Sequence, residues 1–210
     1  MNEVVIIDTG LANVRSVEVA CERLGARTRR VIDADDVARA RRVVLPGVGA
    51  FGPGIAGLHA QGLASVLRQR ALAGLPTLAI CLGLQLLCEG SDEDPDGRGL
   101  GVIPARALRL PRSARVPNLG WCAVADVGGV AVGHAYVAHS YAVPGSDCDA
   151  LRTGGWRLLL ADHGGPFLAA ARRRGVLACQ FHPELSGAWG AALLQSWLAD
   201  AQEEDAPWPS

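Results

Sequence analysis

A short apolar run that ends on a cysteine constrains the fold of this chain more than any other feature. Leu78–Ile80 is typical of a buried strand, and a helix is predicted to begin just after Cys81. A strand, a tight turn bearing a nucleophile and a helix form a nucleophile elbow, in which a strained turn lifts one side chain clear of the sheet. Ala79 and Gly83, two positions away on either side, are small enough for the strand and helix backbones to approach each other.

The elbow pattern leaves two interpretations of Cys81 open. The positive end of the following helix dipole favours a thiolate, which suits a catalytic nucleophile. Alternatively, Cys81 is a small hydrophobic residue at the end of a buried strand, as many free cysteines are.

Further strands and helices alternate before the elbow. Apolar runs predict strands near 4–7, 27–32 and 43–45, and helices are predicted near 14–24, near 35–41 and around 63–74. This alternation favours a parallel, doubly wound α/β sheet, whose catalytic groups gather at the carboxyl ends of the strands.

The second half of the sequence differs from the first in composition. Residues 91–101 are charged and glycine-rich and are interpreted as a surface loop, after which short apolar runs predict antiparallel strands added to the sheet. These runs are 107–110, 121–127, 136–143, 156–161, 167–171 and 176–181. Ser186 is expected to cap a last helix. We expect one domain over residues 1–200 and a frayed polar tail over residues 201–210.

Composition excludes several classes of function. All 20 basic residues are arginine, which excludes lysine Schiff-base chemistry, and the net charge of −1 favours neither nucleic acid nor a membrane surface. The uncharged stretch 43–67 contains six glycines and two prolines, which makes a membrane span implausible. The six cysteines form no CxxC pair, so we expect no metal site, and reduced thiols in a cytoplasm are the simplest interpretation.

His182 and Glu184 could complete a catalytic set with Cys81. His182 follows a predicted strand, and alternate residues of extended backbone face the same way, so Glu184 could hold one imidazole nitrogen while the other addresses the cysteine. An isolated His-Pro-Glu sequence is otherwise most simply a solvent-exposed turn.

The loop after the third strand could provide an oxyanion hole. Gly47 and Gly49 leave the backbone N–H of Val48 unobstructed, and the N–H of Leu82 is its expected companion. Glycines that only serve turn geometry are the alternative. A phosphate cradle is less well supported, because the chain has neither lysine nor a GxxxxGK[ST] pattern.

Several motifs together resemble a known family. Residues 81–87 and 180–184 resemble the two signatures of class I glutamine amidotransferases, and residues 46–51 narrow the resemblance to the glutaminase subunits of imidazole glycerol phosphate synthase, from histidine biosynthesis. Smaller family motifs match Asp8 with Asn13, residues 116–121 and residues 139–141.

The resemblance implies a flavodoxin-like α/β fold and a complete site. Cys81, His182 and Glu184 would be the triad, and no cofactor or metal would be needed. Glutamine would be held by the loop of Gly47 and Gly49 and by the residues Gln85, Ser140 and Tyr141. The cysteine would form a glutamyl thioester and release ammonia. In the family, ammonia passes through a heterodimer interface to a (β/α)8-barrel cyclase.

Departures from the family pattern lie where the partner would dock. The expected interface residues are Asn13, Asn118, Trp121 and Leu185, of which Leu185 replaces the usual lysine and Asn118 the usual histidine. Cys122 replaces an asparagine, and the first loop departs from the pattern at residues 9 and 12. A paralogue that feeds ammonia to a different synthase and a non-catalytic scaffold subunit therefore stay open as alternatives. A cysteine hydrolase of the α/β class is disfavoured, because its acid would usually precede the histidine.

Overall fold

The structure is a computed structural model that describes residues 3–8, 10, 14–199 and 208–209. Thirteen strands are formed within these residues: β1 (Glu3–Ile7), β2 (Arg27–Val31), β3 (Val43–Leu45), β4 (Thr77–Ile80), β5 (Cys88–Ser91), β6 (Asp94–Arg98), β7 (Ile103–Arg109), β8 (Asn118–Asp126), β9 (Ala131–His139), β10 (Tyr141–Ala142), β11 (Arg157–Asp162), β12 (Pro166–Arg173) and β13 (Val176–Cys179). The helices are α1 (Val14–Arg23), α2 (Ala34–Arg39), α3 (Phe51–Ala60), α4 (Leu63–Leu72), α5 (Leu82–Leu87), α6 (Cys148–Thr153) and α7 (Gly187–Leu198).

A nine-stranded sheet forms the centre, in the order β2-β1-β3-β4-β13-β12-β11-β8-β9. Strands β2 to β13 in this order are parallel, and the remaining strands are antiparallel. The predicted α/β class with added antiparallel strands is confirmed. Strand β4 lies between β3 and β13 and is parallel to both, so the segments that follow Leu45, Ile80 and Cys179 leave the sheet at one rim.

Apolar residues of β1, β3 and β4 explain why this half of the sheet is covered on both faces. Their side chains alternate between two hydrophobic clusters, one on each face of the sheet. Continuous apolar runs of this kind are typical of parallel strands between two layers of helices.

The segment 91–101 lies largely at the surface but is a hairpin rather than a loop, so that part of the prediction is wrong. Strands β5 and β6 form a hairpin in a second sheet of order β10-β7-β5-β6. The Arg106 guanidinium donates to the Ser91 carbonyl at 3.2 Å, and β5 pairs in parallel with β7. Pairing with neighbouring strands thus outweighs the low strand propensity of a charged, glycine-rich sequence.

Two helices, rather than one, connect β3 to β4. Helix α4 has the predicted position, but α3 lies in a stretch whose glycines predict no helix. Phe51 and Leu58 of α3 are fully buried, so tertiary packing stabilises this helix against its low propensity. Gly62, with φ +69°, separates the two helices in a left-handed conformation that suits glycine.

The end of the chain differs from the prediction in two ways. Ser186 precedes α7, but its hydroxyl donates to the carbonyl of His182 at 2.6 Å and makes no capping bond. Of the predicted frayed tail, residues 208–209 are described and are not frayed, since Trp208 stacks with the Arg172 guanidinium 4.7 Å from its ring centroid. The other tail residues lie outside the described residues. In the described ranges, no helix is long and apolar enough to cross a membrane.

Candidate active site

Cys81 occupies the strained turn that its sequence predicts. Its backbone has φ 53° and ψ −108°, a conformation that is rare for a non-glycine residue and costs on the order of 1–3 kcal/mol. A side chain on Gly83 would collide with the carbonyl of Leu45, so the turn requires glycine there. The sulfur is placed between the end of β4 and the first turn of α5.

His182 and Glu184 lie beside this turn, on the segment that follows β13. Nδ1 of His182 is 2.9 Å from Oε1 of Glu184. Since Nδ1 is thereby engaged, the other nitrogen, Nε2, is the one available to the sulfur of Cys81, which lines the same cavity as His182. The structure therefore brings together the three residues of the expected triad.

The backbone that places Glu184 beside His182 differs from the one that the sequence predicts. Residues Pro183–Leu185 form a short 3-10 helix rather than extended backbone. The carboxylate still reaches the imidazole, because His182 itself has extended backbone and the tight turn folds the next side chains back toward it. The backbone N–H of His182 donates to the Tyr136 carbonyl at 2.9 Å, which fixes the segment to β9.

The site favours a protonated His182. Burial lowers the pKa of this imidazole, but hydrogen bonds and charge interactions with Cys81 and Glu184 outweigh burial and raise the pKa to about 10. An imidazolium next to a cysteine stabilises a thiolate, which is the nucleophilic form. For Cys122 and Cys148, burial raises the pKa of the thiol to about 11 and so disfavours the thiolate.

The residues expected to hold glutamine surround the sulfur. Cys81 and His182 line one cavity together with most of the predicted binding set, namely Val48, Gly49, Gln85, Ser140 and Tyr141. Gly47 lines a second cavity, which Val48 and His182 also line.

The expected oxyanion hole is not open in this structure. The N–H of Leu82 donates to the Gly47 carbonyl at 3.3 Å. Leu82 would have to exchange that bond for a substrate oxygen, which requires the Gly47 peptide to turn away. Gly49, with φ +103°, is a position where the loop can change conformation at low cost.

Sequence reasoning missed one charged residue of the cavity. Glu93 lines it and accepts the backbone N–H of Phe51 at 2.8 Å through Oε2. The sequence does not reveal this residue, because the hairpin that carries it has the composition of a surface loop. An acidic residue in a charged segment gives no signal of its own that it faces a binding site.

The four expected partner residues differ in their placement. Trp121 and Leu185 have exposed side chains, with 59% and 45% of their surface accessible, and Leu119 is 66% accessible. Asn118 is buried instead, and its side chain bonds His139, so its predicted place on the interface surface does not fit the structure. Asn13 lies outside the described residues.

Comparisons with known proteins agree on one family. A sequence model of the glutamine amidotransferase class-I family matches residues 5–201. "Imidazole glycerol phosphate synthase subunit HisH" of Rhodopirellula baltica is 40% identical over 200 residues, which are 91% of this chain and 95% of that protein. "Imidazole glycerol phosphate synthase hisHF, chloroplastic" of Arabidopsis thaliana is 38% identical, and the match covers 93% of this chain but 34% of the plant protein. A solved structure described as a glutamine amidotransferase has a TM-score of 0.71 at 21% identity and covers 93% of this chain.

Proposed function

This chain belongs to the glutamine amidotransferase class-I family and, within it, is similar to HisH subunits, and from that premise we propose that it hydrolyses glutamine to glutamate and ammonia as the glutaminase subunit of imidazole glycerol phosphate synthase. The observation that carries the proposal is the triad geometry. His182 bonds Glu184, and it lines one cavity together with Cys81 and most of the expected glutamine-binding residues.

The first half of the reaction uses the cysteine and the histidine. The Cys81 sulfur attacks the carbon of the glutamine side-chain amide, and the carbonyl oxygen becomes an oxyanion. His182 donates its Nε2 proton to the amide nitrogen, the carbon–nitrogen bond breaks, and ammonia leaves. A glutamyl thioester stays on the sulfur, and His182 is left neutral.

The second half restores the enzyme. Neutral His182 takes a proton from water, whose oxygen attacks the thioester carbon. The carbon–sulfur bond breaks, glutamate leaves, and the thiolate faces an imidazolium again. Glu184 keeps Nδ1 as a donor throughout, so that Nε2 is the nitrogen that exchanges protons.

Glu93 extends the substrate site beyond the reacting amide. Its carboxylate and the cysteine line the same cavity, so a glutamine with its side-chain amide at Cys81 can direct its α-ammonium group toward Glu93. The preference for glutamine over a plain amide would come from this charge pairing at the end away from the sulfur.

Ammonia is the product that requires a partner. In water at neutral pH it is protonated and stops being a nucleophile, so direct transfer to a bound acceptor preserves it. We propose a heterodimer with a (β/α)8-barrel cyclase, which would carry out the lyase step. The plant relative supports this assembly, because its name joins hisH and hisF and only 34% of its length corresponds to this chain. The expected cytoplasmic location stays a prediction, as does a single domain over residues 1–200.

Partner binding should switch the glutaminase on. The bond between the Leu82 N–H and the Gly47 carbonyl blocks the oxyanion hole, so the isolated chain should hydrolyse glutamine slowly. A partner that turns the loop should raise kcat by roughly 10²-fold or more, the size expected for one oxyanion donor. Glutamate production should be measured with the chain alone and with the cyclase and its ribotide substrate. Equal rates would contradict this gating.

Leu185 indicates which surface the partner presents. With Trp121 and Leu119 it forms an exposed apolar set, and Leu185 itself lines the cavities on both sides of the 3-10 turn that holds Glu184. A carboxylate left unpaired against leucine would cost on the order of 1–3 kcal/mol. We therefore expect the cognate cyclase to place an uncharged residue there, or a carboxylate that is paired elsewhere.

Leu185→Lys should weaken assembly with that cyclase, because it buries a charge against an uncharged surface. The measurement is a binding titration of both forms at two salt concentrations. Tighter, salt-sensitive binding by the lysine form would show an ordinary acidic surface opposite this position, and it would remove the main observation favouring a paralogue with a different partner.

A further inference from the structure

A buried network of hydrogen bonds leads from strand β8 to the carbonyl of Tyr141. Asn118 Nδ2 is 3.2 Å from His139 Nε2, and His139 Nδ1 is 3.1 Å from the Tyr141 carbonyl oxygen. Both side chains are buried to more than nine-tenths. This first part of the network is therefore largely shielded from bulk water.

The second part of this network runs from the same carbonyl to the sulfur of Cys81. Gln85 Nε2 is 2.9 Å from the Tyr141 oxygen and 3.1 Å from Gln180 Oε1. Gln180 Nε2 is 3.7 Å from Cys81 Sγ, a distance within the range of an N–H···S hydrogen bond. Gln180 is fully buried, so its amide depends on partners within the protein, whereas Gln85 is 5% exposed and borders the cavity.

The Tyr141 carbonyl fixes the donor and the acceptor of every hydrogen bond in this network. The Tyr141 oxygen can only accept, so the Gln85 atom next to it must be the NH₂ group. That NH₂ group also faces Gln180, whose oxygen must therefore point toward Gln85. The remaining group, the NH₂ of Gln180, is left to face the sulfur.

The histidine arm obeys the same rule. Nδ1 of His139 must donate to the carbonyl, which leaves Nε2 of the neutral ring as the acceptor for Asn118. Burial lowers the pKa of His139 to about 4, which keeps the ring neutral near pH 7 and so preserves this direction.

We propose that Gln180 is a further functional residue of the glutaminase site: its side-chain N–H donates to the Cys81 sulfur and stabilises the negative charge that the sulfur carries before attack and regains when the thioester is hydrolysed. The inference deepens the proposed function and rests on Cys81 being the nucleophile. Gln85 positions Gln180, because its NH₂ group determines which end of the Gln180 amide faces the sulfur.

Among the described residues, Gln180 supplies the one neutral side-chain donor to this sulfur. The carbonyl of Ala138 lies 3.7 Å from Sγ and can accept from a thiol, but it repels a thiolate. His182 donates to the thiolate only while it is protonated, and it gives that proton away during the reaction. Gln180 has no proton to lose in this pH range, so its bond to sulfur persists through the cycle, and a bond to an ionised acceptor is stronger than a neutral one.

Two substitutions separate this role from simple packing. Gln180→Met keeps the length of the side chain and removes the donor, and Gln180→Glu keeps the shape and places an oxygen next to the sulfur. The control is Gln195→Met, the same change at an exposed position on α7. Each variant is alkylated with iodoacetamide from pH 5 to pH 9, the labelled cysteine is located by peptide mass, and kcat and KM for glutamine are measured with the partner.

For Gln180→Met we expect alkylation of Cys81 at pH 7 and kcat to fall by roughly 10- to 100-fold, the loss expected for a hydrogen bond to a charged group. KM should change much less than kcat. Gln180→Glu should lose more at pH 7 and recover in acid, where a protonated carboxyl group can donate. Gln195→Met should match the wild type in every measurement.

The inference is overturned if a folded Gln180→Met protein keeps its alkylation rate and kcat, or if Gln180→Glu lacks the recovery in acid. A purely structural role would loosen the site and raise the alkylation rate, which also contradicts the proposal. If Met is not tolerated at this position, the near-isosteric Glu variant decides alone. Failure of the proposed function would appear elsewhere, as glutamine turnover that survives Cys81→Ala.

Discussion

Replacing Cys81 by alanine should reduce glutamine-dependent synthesis by roughly 10⁴-fold or more, because Cys81 is the one thiol among the described residues that line the cavity. The residue already has φ 53° in the elbow, and alanine can occupy that turn as well as cysteine can. The sulfur is at the rim of the sheet and not in its centre, so the fold should survive. The assay is formation of imidazole glycerol phosphate by the complex with glutamine as the nitrogen source.

The same complex provides the control. Synthesis from added ammonium salt should persist in Cys81→Ala, because the cyclase reaction needs ammonia from any source. Binding of the partner should be unchanged. Retained synthesis from glutamine would show that another group performs the hydrolysis, whereas loss of both activities would show that the variant complex does not assemble.

His182→Asn should be nearly as severe, with a loss of roughly 10³- to 10⁴-fold in kcat, since this residue makes both proton transfers. Glu184→Gln should be milder than His182→Asn, because the amide oxygen can still accept from Nδ1 and orient the ring. The other carboxylate oxygen, Oε2, has no hydrogen-bond partner among the described residues, so an NH₂ group in its place breaks no bond. Measurement of kcat for both variants tests the order, and a larger loss for Glu184→Gln would reverse the assigned roles.

The pH profile gives a second test of the same pair. Burial lowers the pKa of His182, and its hydrogen bonds and charge interactions with Cys81 and Glu184 raise it to about 10. Removing the carboxylate's charge takes away part of the upward shift, so the imidazolium loses its proton at lower pH. The alkaline limb of kcat/KM for Glu184→Gln should therefore move to lower pH, and an unmoved limb would contradict the assignment.

Much of the fold could be predicted because its signals are local. The apolar runs of β1, β3 and β4 and the helical spacing of α1 have the lengths and periods that their structures require. The elbow at Cys81 was recognisable because glycine is needed at a fixed distance from the nucleophile. These features depend on neighbours in sequence, and a pattern in sequence captures them.

Elements that depend on distant neighbours could not be predicted in the same way. Helix α3 forms in a glycine-rich stretch because Phe51 and Leu58 are buried against other elements, and strand β6 forms because it pairs with β5, which also pairs with β7. Local propensity argues against both. Tertiary packing decided them, and it has no signature in the segment itself.

The residues of the candidate site also differ in whether the local sequence reveals their role. The Cys81, His182 and Glu184 set was found because it lies in two short motifs. Gln180 lies inside one of those motifs, yet its contact with sulfur depends on Gln85, which is 95 residues away. The motif alone predicts Asn118 on the partner surface, whereas its side chain turns inward to His139.

The central claim is that Cys81 carries the glutamyl group, and the most direct test is the mass of the enzyme during turnover. The complex would be mixed with glutamine, quenched in acid and digested, and its cysteine peptides weighed. We predict one added glutamyl group on the peptide that contains Cys81, none on peptides with the other five cysteines, and none anywhere in Cys81→Ala. Glutamate formation with no adduct on Cys81, or an adduct on another cysteine, would contradict the account.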